Sequence, residues 1–109
     1  NGRLDAPWPK TRHLLAALRT WIDAGSGELE SLWSALADER MAPDAGLPDT
    51  GVGIELERKL SPAFIRGDAY GTRASTIIAV DRNGRGFIVE RRFGPNGAFE
   101  GEMMLRNDD

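Results

Sequence analysis

The chain has 109 residues and a mass of 11.9 kDa, with 40% apolar and 28% charged residues, enough for one small globular domain. Cysteine is absent and His13 is the single histidine, which excludes disulfides, thiolate or multi-histidine metal sites and a cysteine nucleophile within these residues. Fourteen basic against 17 acidic residues give a net charge of −3 and a pI near 5.2, against the basic excess of a nucleic-acid binder.

The opening Asn1-Gly2-Arg3-Leu4-Asp5-Ala6-Pro7-Trp8-Pro9 reads as an irregular entry, because Pro7 and Pro9 restrict the residues before them to extended backbone. Pro9 then suits the first position of a helix. Leu14, Leu15, Leu18, Trp21 and Ile22 recur at helical spacing and predict one apolar stripe. Gly25-Ser26-Gly27 ends that helix. A second helix is expected from about Glu28, with Leu29, Leu32, Trp33 and Leu36 on one face and glutamates near its positive end. Together they form a helical hairpin over residues 8–40.

Residues 41–72 read as loop-rich. Pro43, Gly46, Pro48, Gly51 and Gly53 punctuate the stretch from Met41 to Gly53, a short helix fits Ile54 to Leu60, and Pro62 interrupts it. Ala63-Phe64-Ile65 is a brief apolar run, either a strand or a plug for the core. Residues 73–106 change period. Thr76 to Val80 and Gly86 to Phe93 are strand runs separated by the turn signal Asn83-Gly84. Gly94-Pro95-Asn96-Gly97 makes a second turn, after which Phe99, Gly101, Met103 and Leu105 alternate with Glu100, Glu102, Met104 and Arg106. The expected class is α+β: one domain over 1–109, a helical hairpin packed on a three-stranded antiparallel meander. Such a sheet keeps an open edge and an open face for something else to complete.

No apolar run approaches the length of a membrane span and no signal segment opens the chain, so a cytoplasmic protein of bacterial look is the default. Gly51-Val52-Gly53 begins like a dinucleotide loop, but Leu56 stands where the third glycine belongs. No Walker loop occurs, and neither Ser61 nor Ser75 sits in a Gly-x-Ser-x-Gly elbow. His13 has no partner spacing and reads as a helix-face histidine. Glu55 with Glu57, and Glu100 with Glu102, are two apart, which in a strand places each pair on one face; an exposed sheet face looks the same. Trp21 and Trp33 sit on apolar stripes as core residues, whereas Trp8, between two prolines, resists that account. Arg82, Arg85, Arg91 and Arg92 are interleaved with Asp81 and Glu90, as on a solvated hairpin. No metal and no cofactor is called for. Arg73 enters the sheet on the face of Ser75 and Ile77, where a guanidinium needs a carboxylate partner or an anionic ligand.

Two polar clusters, Asn1-Gly2-Arg3-Leu4-Asp5 leading into Pro7-Trp8-Pro9-Lys10 and Tyr70-Gly71-Thr72-Arg73-Ala74-Ser75-Thr76, stand out. With Asp49-Thr50-Gly51-Val52-Gly53 and Leu60-Ser61-Pro62-Ala63-Phe64-Ile65 between them, they resemble the C-terminal half of the NRDE family, also called the Transport and Golgi organization 2 family. The likeness runs from Asn1 to about Phe93. The family's Asn-Arg-Asp-Glu motif and its cysteine after the initiator methionine belong to an N-terminal half not found in these residues. The resemblance therefore implies a fragment, or one chain of a cleaved pair, with that half as partner.

The family is grouped with the N-terminal-nucleophile hydrolases, which implies part of a four-layer αββα sandwich. By similarity to the bile-salt hydrolase and penicillin acylase branch, Asn1 takes the place of an oxyanion-holding amide and Arg73 that of a nucleophile-orienting guanidinium. Trp8, Tyr70 and Thr72 are the implied substrate-binding residues. Asn1 itself has no thiol or hydroxyl, so the nucleophile would lie upstream and this chain alone would be inactive. The alternative is a non-enzymatic protein that handles haem or lipid in the same cleft. In either case the partner is a small molecule.

Overall fold

The computed structural model describes residues 6–107, and the chain divides into two compact units, residues 1–65 and 66–109. The elements follow the expected α+β order. Helices α1 (Pro9–Ala24), α2 (Glu30–Leu36) and α3 (Ile54–Leu60) come first, then strands β1 (Ala74–Val80), β2 (Gly86–Phe93) and β3 (Phe99–Arg106).

In the first unit α1 starts with proline at its first turn and stops at Gly25, whose φ of 65° is the left-handed cap that glycine adopts without a Cβ penalty. The Gly25 N–H donates to the Trp21 carbonyl, and the Trp21 indole N–H donates to the Glu28 carbonyl, tying the turn to the helix. The second helix begins at Glu30, two residues later than expected, because Leu29 serves as its N-cap. Helices α1 and α2 pack together as the expected hairpin. Leu32 and Trp33 are buried, so Trp33 is a core residue.

The α1 stripe is less covered than its period suggests. Leu14, Ala17 and Trp21 are half-buried, whereas Leu15, Leu18 and Ile22 remain exposed. A seven-residue α2 shields only one flank of a 16-residue helix. Ala63-Phe64-Ile65 forms no strand. Phe64 plugs the core, and its N–H donates to the Asp38 carbonyl at 2.8 Å.

In the second unit the sheet order is β1-β2-β3, antiparallel throughout. Ile77 pairs with Val89 on the buried face, and Val89 is only 2% exposed. Burial of one such side chain contributes about 1.5–3 kcal/mol. The turn signal lies where the hairpin closes, although the residue that holds the turn is Asp81. Its carboxylate accepts from the N–H groups of Asn83 and Arg85 while its own N–H donates to the Arg85 carbonyl. Gly84 supplies the positive φ, at 77°. The Gly94–Gly97 turn places Asn96 and Gly97 at φ of 56° and 71°, and just before it the β2–β3 register shifts at Arg92/Phe93, where Arg92 faces Gly101 and Phe93 faces Phe99.

The opposite sheet face is open and apolar. Ile78 pairs with Ile88, and Ile88 with Leu105, so the three form one row across the strands. Ile78 is 65% exposed and Leu105 62%, with Val80 and Met103 exposed on the same face. Strand β3 thus shows solvent on both its faces, more than its alternation alone suggests.

Candidate functional site

The expected site residues fall in both units. Asn1 lies outside the described residues. Trp8 is the half-buried, extended N-cap of α1, and the Lys10 ammonium sits 5.9 Å from its ring centroid. In the second unit Tyr70 is 68% exposed and Thr72 half-buried, both in the irregular segment before β1.

Arg73 immediately precedes β1, and its carbonyl accepts from the Phe93 N–H at 2.8 Å, which starts the ladder. Among the described residues its guanidinium pairs with backbone carbonyls rather than with a carboxylate. One Nη donates to the Gly94 carbonyl at 3.0 Å and the other reaches the Asp68 carbonyl at 3.5 Å. Arg73 therefore clips the 68–73 segment to the turn after β2. The partners are backbone oxygens, which no residue pattern announces. A guanidinium carries five N–H donors, so most of its capacity remains for a ligand.

The Glu55/Glu57 pair separates. Glu55 and Glu57 lie on α3, where a spacing of two puts them on different faces. Glu57 is buried and accepts from Thr50, while Glu55 is exposed. Glu102 makes a 2.8 Å ion pair with Arg91. Among the described residues no three histidine, aspartate or glutamate side chains come together in a metal-binding arrangement.

Sequence reasoning missed one arrangement in the first unit. Pro9, Lys10, His13 and Leu14 of α1, Ala35 and Asp38 at the end of α2, the Arg40–Pro43 segment, Ser61 and Ala63 line a cavity. Lys10 belongs to the Pro-Trp-Pro-Lys run and Ser61 to the Leu-Ser-Pro run, so the signal was present as motif membership without a role. The cavity holds a serine, a histidine and an aspartate, but they do not form a relay. The Ser61 hydroxyl donates to the Arg58 carbonyl at 2.7 Å and accepts from the Ala42 N–H at 2.8 Å. The Asp38 carboxylate is taken by Arg40, whose Nη2 lies 2.8 Å away. Hydrogen bonds from the Arg40 side chain, then from its backbone N–H, hold the Asp38 carboxyl well down, at about 2.

The Lys10 ammonium donates to the Leu60 carbonyl at 2.8 Å, the last residue of α3. Burial lowers its pKa from the ordinary lysine value. Among the described residues no helix is long and apolar enough to cross a membrane.

A comparison with protein families matches the model described as Transport and Golgi organisation 2 over residues 1–95, most of the chain. A comparison with curated proteins gave no match.

Proposed function

We propose a function from one premise: this chain belongs to the Transport and Golgi organisation 2 family. The chain forms the C-terminal part of an amide or ester hydrolase of the N-terminal-nucleophile type. In that role the Asn1 amide holds the developing oxyanion and Arg73 orients the nucleophile, since preorganised donors act most strongly on charge that appears in the transition state. Trp8, Tyr70 and Thr72 contact the substrate. The nucleophile belongs to an N-terminal half, whose sheet covers the open face of β1-β2-β3 to complete an αββα sandwich in the cytoplasm.

The observation that supports this reading best is the Ile78–Ile88–Leu105 row. A continuous apolar row across three paired strands is the surface that sheet-on-sheet packing uses, with the partner sheet about 10 Å away. A thiol-directed acyl probe applied to the full-length protein tests the chemistry. The expected result is labelling of an N-terminal cysteine, lost on replacement of that cysteine and reduced by Arg73→Met. No labelling in the intact, folded protein would overturn the hydrolase reading.

A second reading, carriage of haem or lipid without catalysis, is favoured by the exposed Tyr70 phenol, an iron-ligand type at the start of the same segment. Difference spectra with haem separate the two: a Soret shift lost in Tyr70→Phe supports carriage.

A further inference from the structure

The cavity of the first unit carries a charge that its own walls leave unmatched. Its lining offers four groups that bear or can take charge: Lys10, His13, Asp38 and Arg40. Asp38 and Arg40 neutralise each other. The Arg40 Nε reaches both carboxylate oxygens at 3.0 and 3.2 Å, and Nη2 and the Arg40 backbone N–H add 2.8 and 2.9 Å contacts. What remains are the His13 imidazole and the half-buried Lys10 ammonium. An ammonium has three donors, and one is spent on the Leu60 carbonyl, which is neutral. Among the described residues no carboxylate lies in ion-pair contact with it, and burial is what displaces its pKa.

Apart from Ser61, whose hydroxyl is engaged by the Arg58 carbonyl and the Ala42 N–H, the remaining lining is aliphatic. Pro9, Leu14, Ala35, Met41 and Ala63 give the cavity an apolar wall beside that charge. One cation without a carboxylate partner beside an apolar wall selects a monoanion with a hydrocarbon portion over a free metal cation or a polyphosphate.

We infer that this cavity binds a small carboxylate with a short apolar tail, the Lys10 ammonium taking the carboxylate and the Leu14–Ala35–Ala63 wall taking the tail. This inference stands whether or not the protein is a hydrolase. His13 lies on the lining and is the single histidine of the chain, so its imidazole resonances report occupancy without a label.

Titration of the full chain with butyrate, followed by the His13 resonances and by calorimetry, tests the proposal. Butyrate is expected to bind saturably and to shift the His13 signals, with butylamine and inorganic phosphate giving neither effect. Lys10→Met keeps the aliphatic stem and removes the charge, and should weaken butyrate by roughly tenfold or more. Because Lys10 also caps α3, Ala35→Leu serves as a second variant: it fills the hollow, leaves the Lys10–Leu60 bond in place, and should abolish binding in a folded protein. Lys10→Arg should retain it. The proposal fails if butyrate does not bind, if butylamine or phosphate binds as well as butyrate, or if folded Ala35→Leu binds it undiminished.

Discussion

Glu57 and Thr50 are joined twice: the Thr50 N–H donates to Glu57 Oε2 at 3.2 Å and its hydroxyl to Oε1 at 2.9 Å. This pair fixes the Asp49–Gly53 segment against α3 and explains why a carboxylate only 5% exposed is tolerated. Glu57→Ala would strand two donors of Thr50, at a cost of about 1–3 kcal/mol. The expected fall in melting temperature is about 4–8 °C per kcal/mol. Thr50→Val should reproduce part of it, and in combination with Glu57→Ala should add little further, since both remove one interaction.

The Asp38–Arg40 pair sets an acid limb of stability. Asp38 titrates near 2 in the folded chain against an ordinary 3.8, so the folded state binds this proton less readily than the unfolded one. The resulting stabilisation is present above about pH 4 and is lost as the pH falls toward 2. It is small, because the Arg40 side chain is 81% exposed and water screens the pair. Melting temperature measured from pH 5 to pH 2.5 should fall less steeply in Asp38→Asn than in the parent chain.

Open apolar strands bind solvatochromic dyes and self-associate. Ile78→Lys and Leu105→Lys place charges on the exposed row, away from the buried Ile77–Val89 face. Each should lower anilinonaphthalene-sulfonate fluorescence of the isolated chain while changing its stability by no more than about 0.5 kcal/mol. In the full-length protein the same changes should destabilise strongly, because there the row is proposed to be covered.

Gly86 opens β2 where a Cβ would meet the Ala79 carbonyl and the Val80 backbone. Backbone cannot swing aside as a side-chain tip can. Gly86→Ala should therefore cost about 1–3 kcal/mol by overpacking, and faster amide exchange in β1 and β2 than in α1 would locate the damage.

The elements were legible because each follows from local chemistry. Pro9 starts a helix and Gly25 ends one, and the change to alternation after Ala74 marks the sheet. What surrounds each element was not legible. Periodicity shows that Leu15, Leu18 and Ile22 share a helix flank, but it carries no information on whether a neighbour reaches them. The same holds for Ile78 and Leu105. Arg73 illustrates a different limit: its motif singled it out, yet its partners are the carbonyls of Gly94 and Asp68, and every residue has a carbonyl. Ser61 and Lys10 were likewise visible as motif members, and only the fold brings them, with Asp38, around one hollow.

The proposal that the sheet's bare side is an interface is tested most directly by light scattering coupled to size-exclusion chromatography of the isolated chain. Association beyond the 11.9 kDa monomer is expected, relieved by Leu105→Lys or by adding the N-terminal half. A cooperatively folded monomer that stays monomeric at high concentration and binds no apolar dye would contradict it.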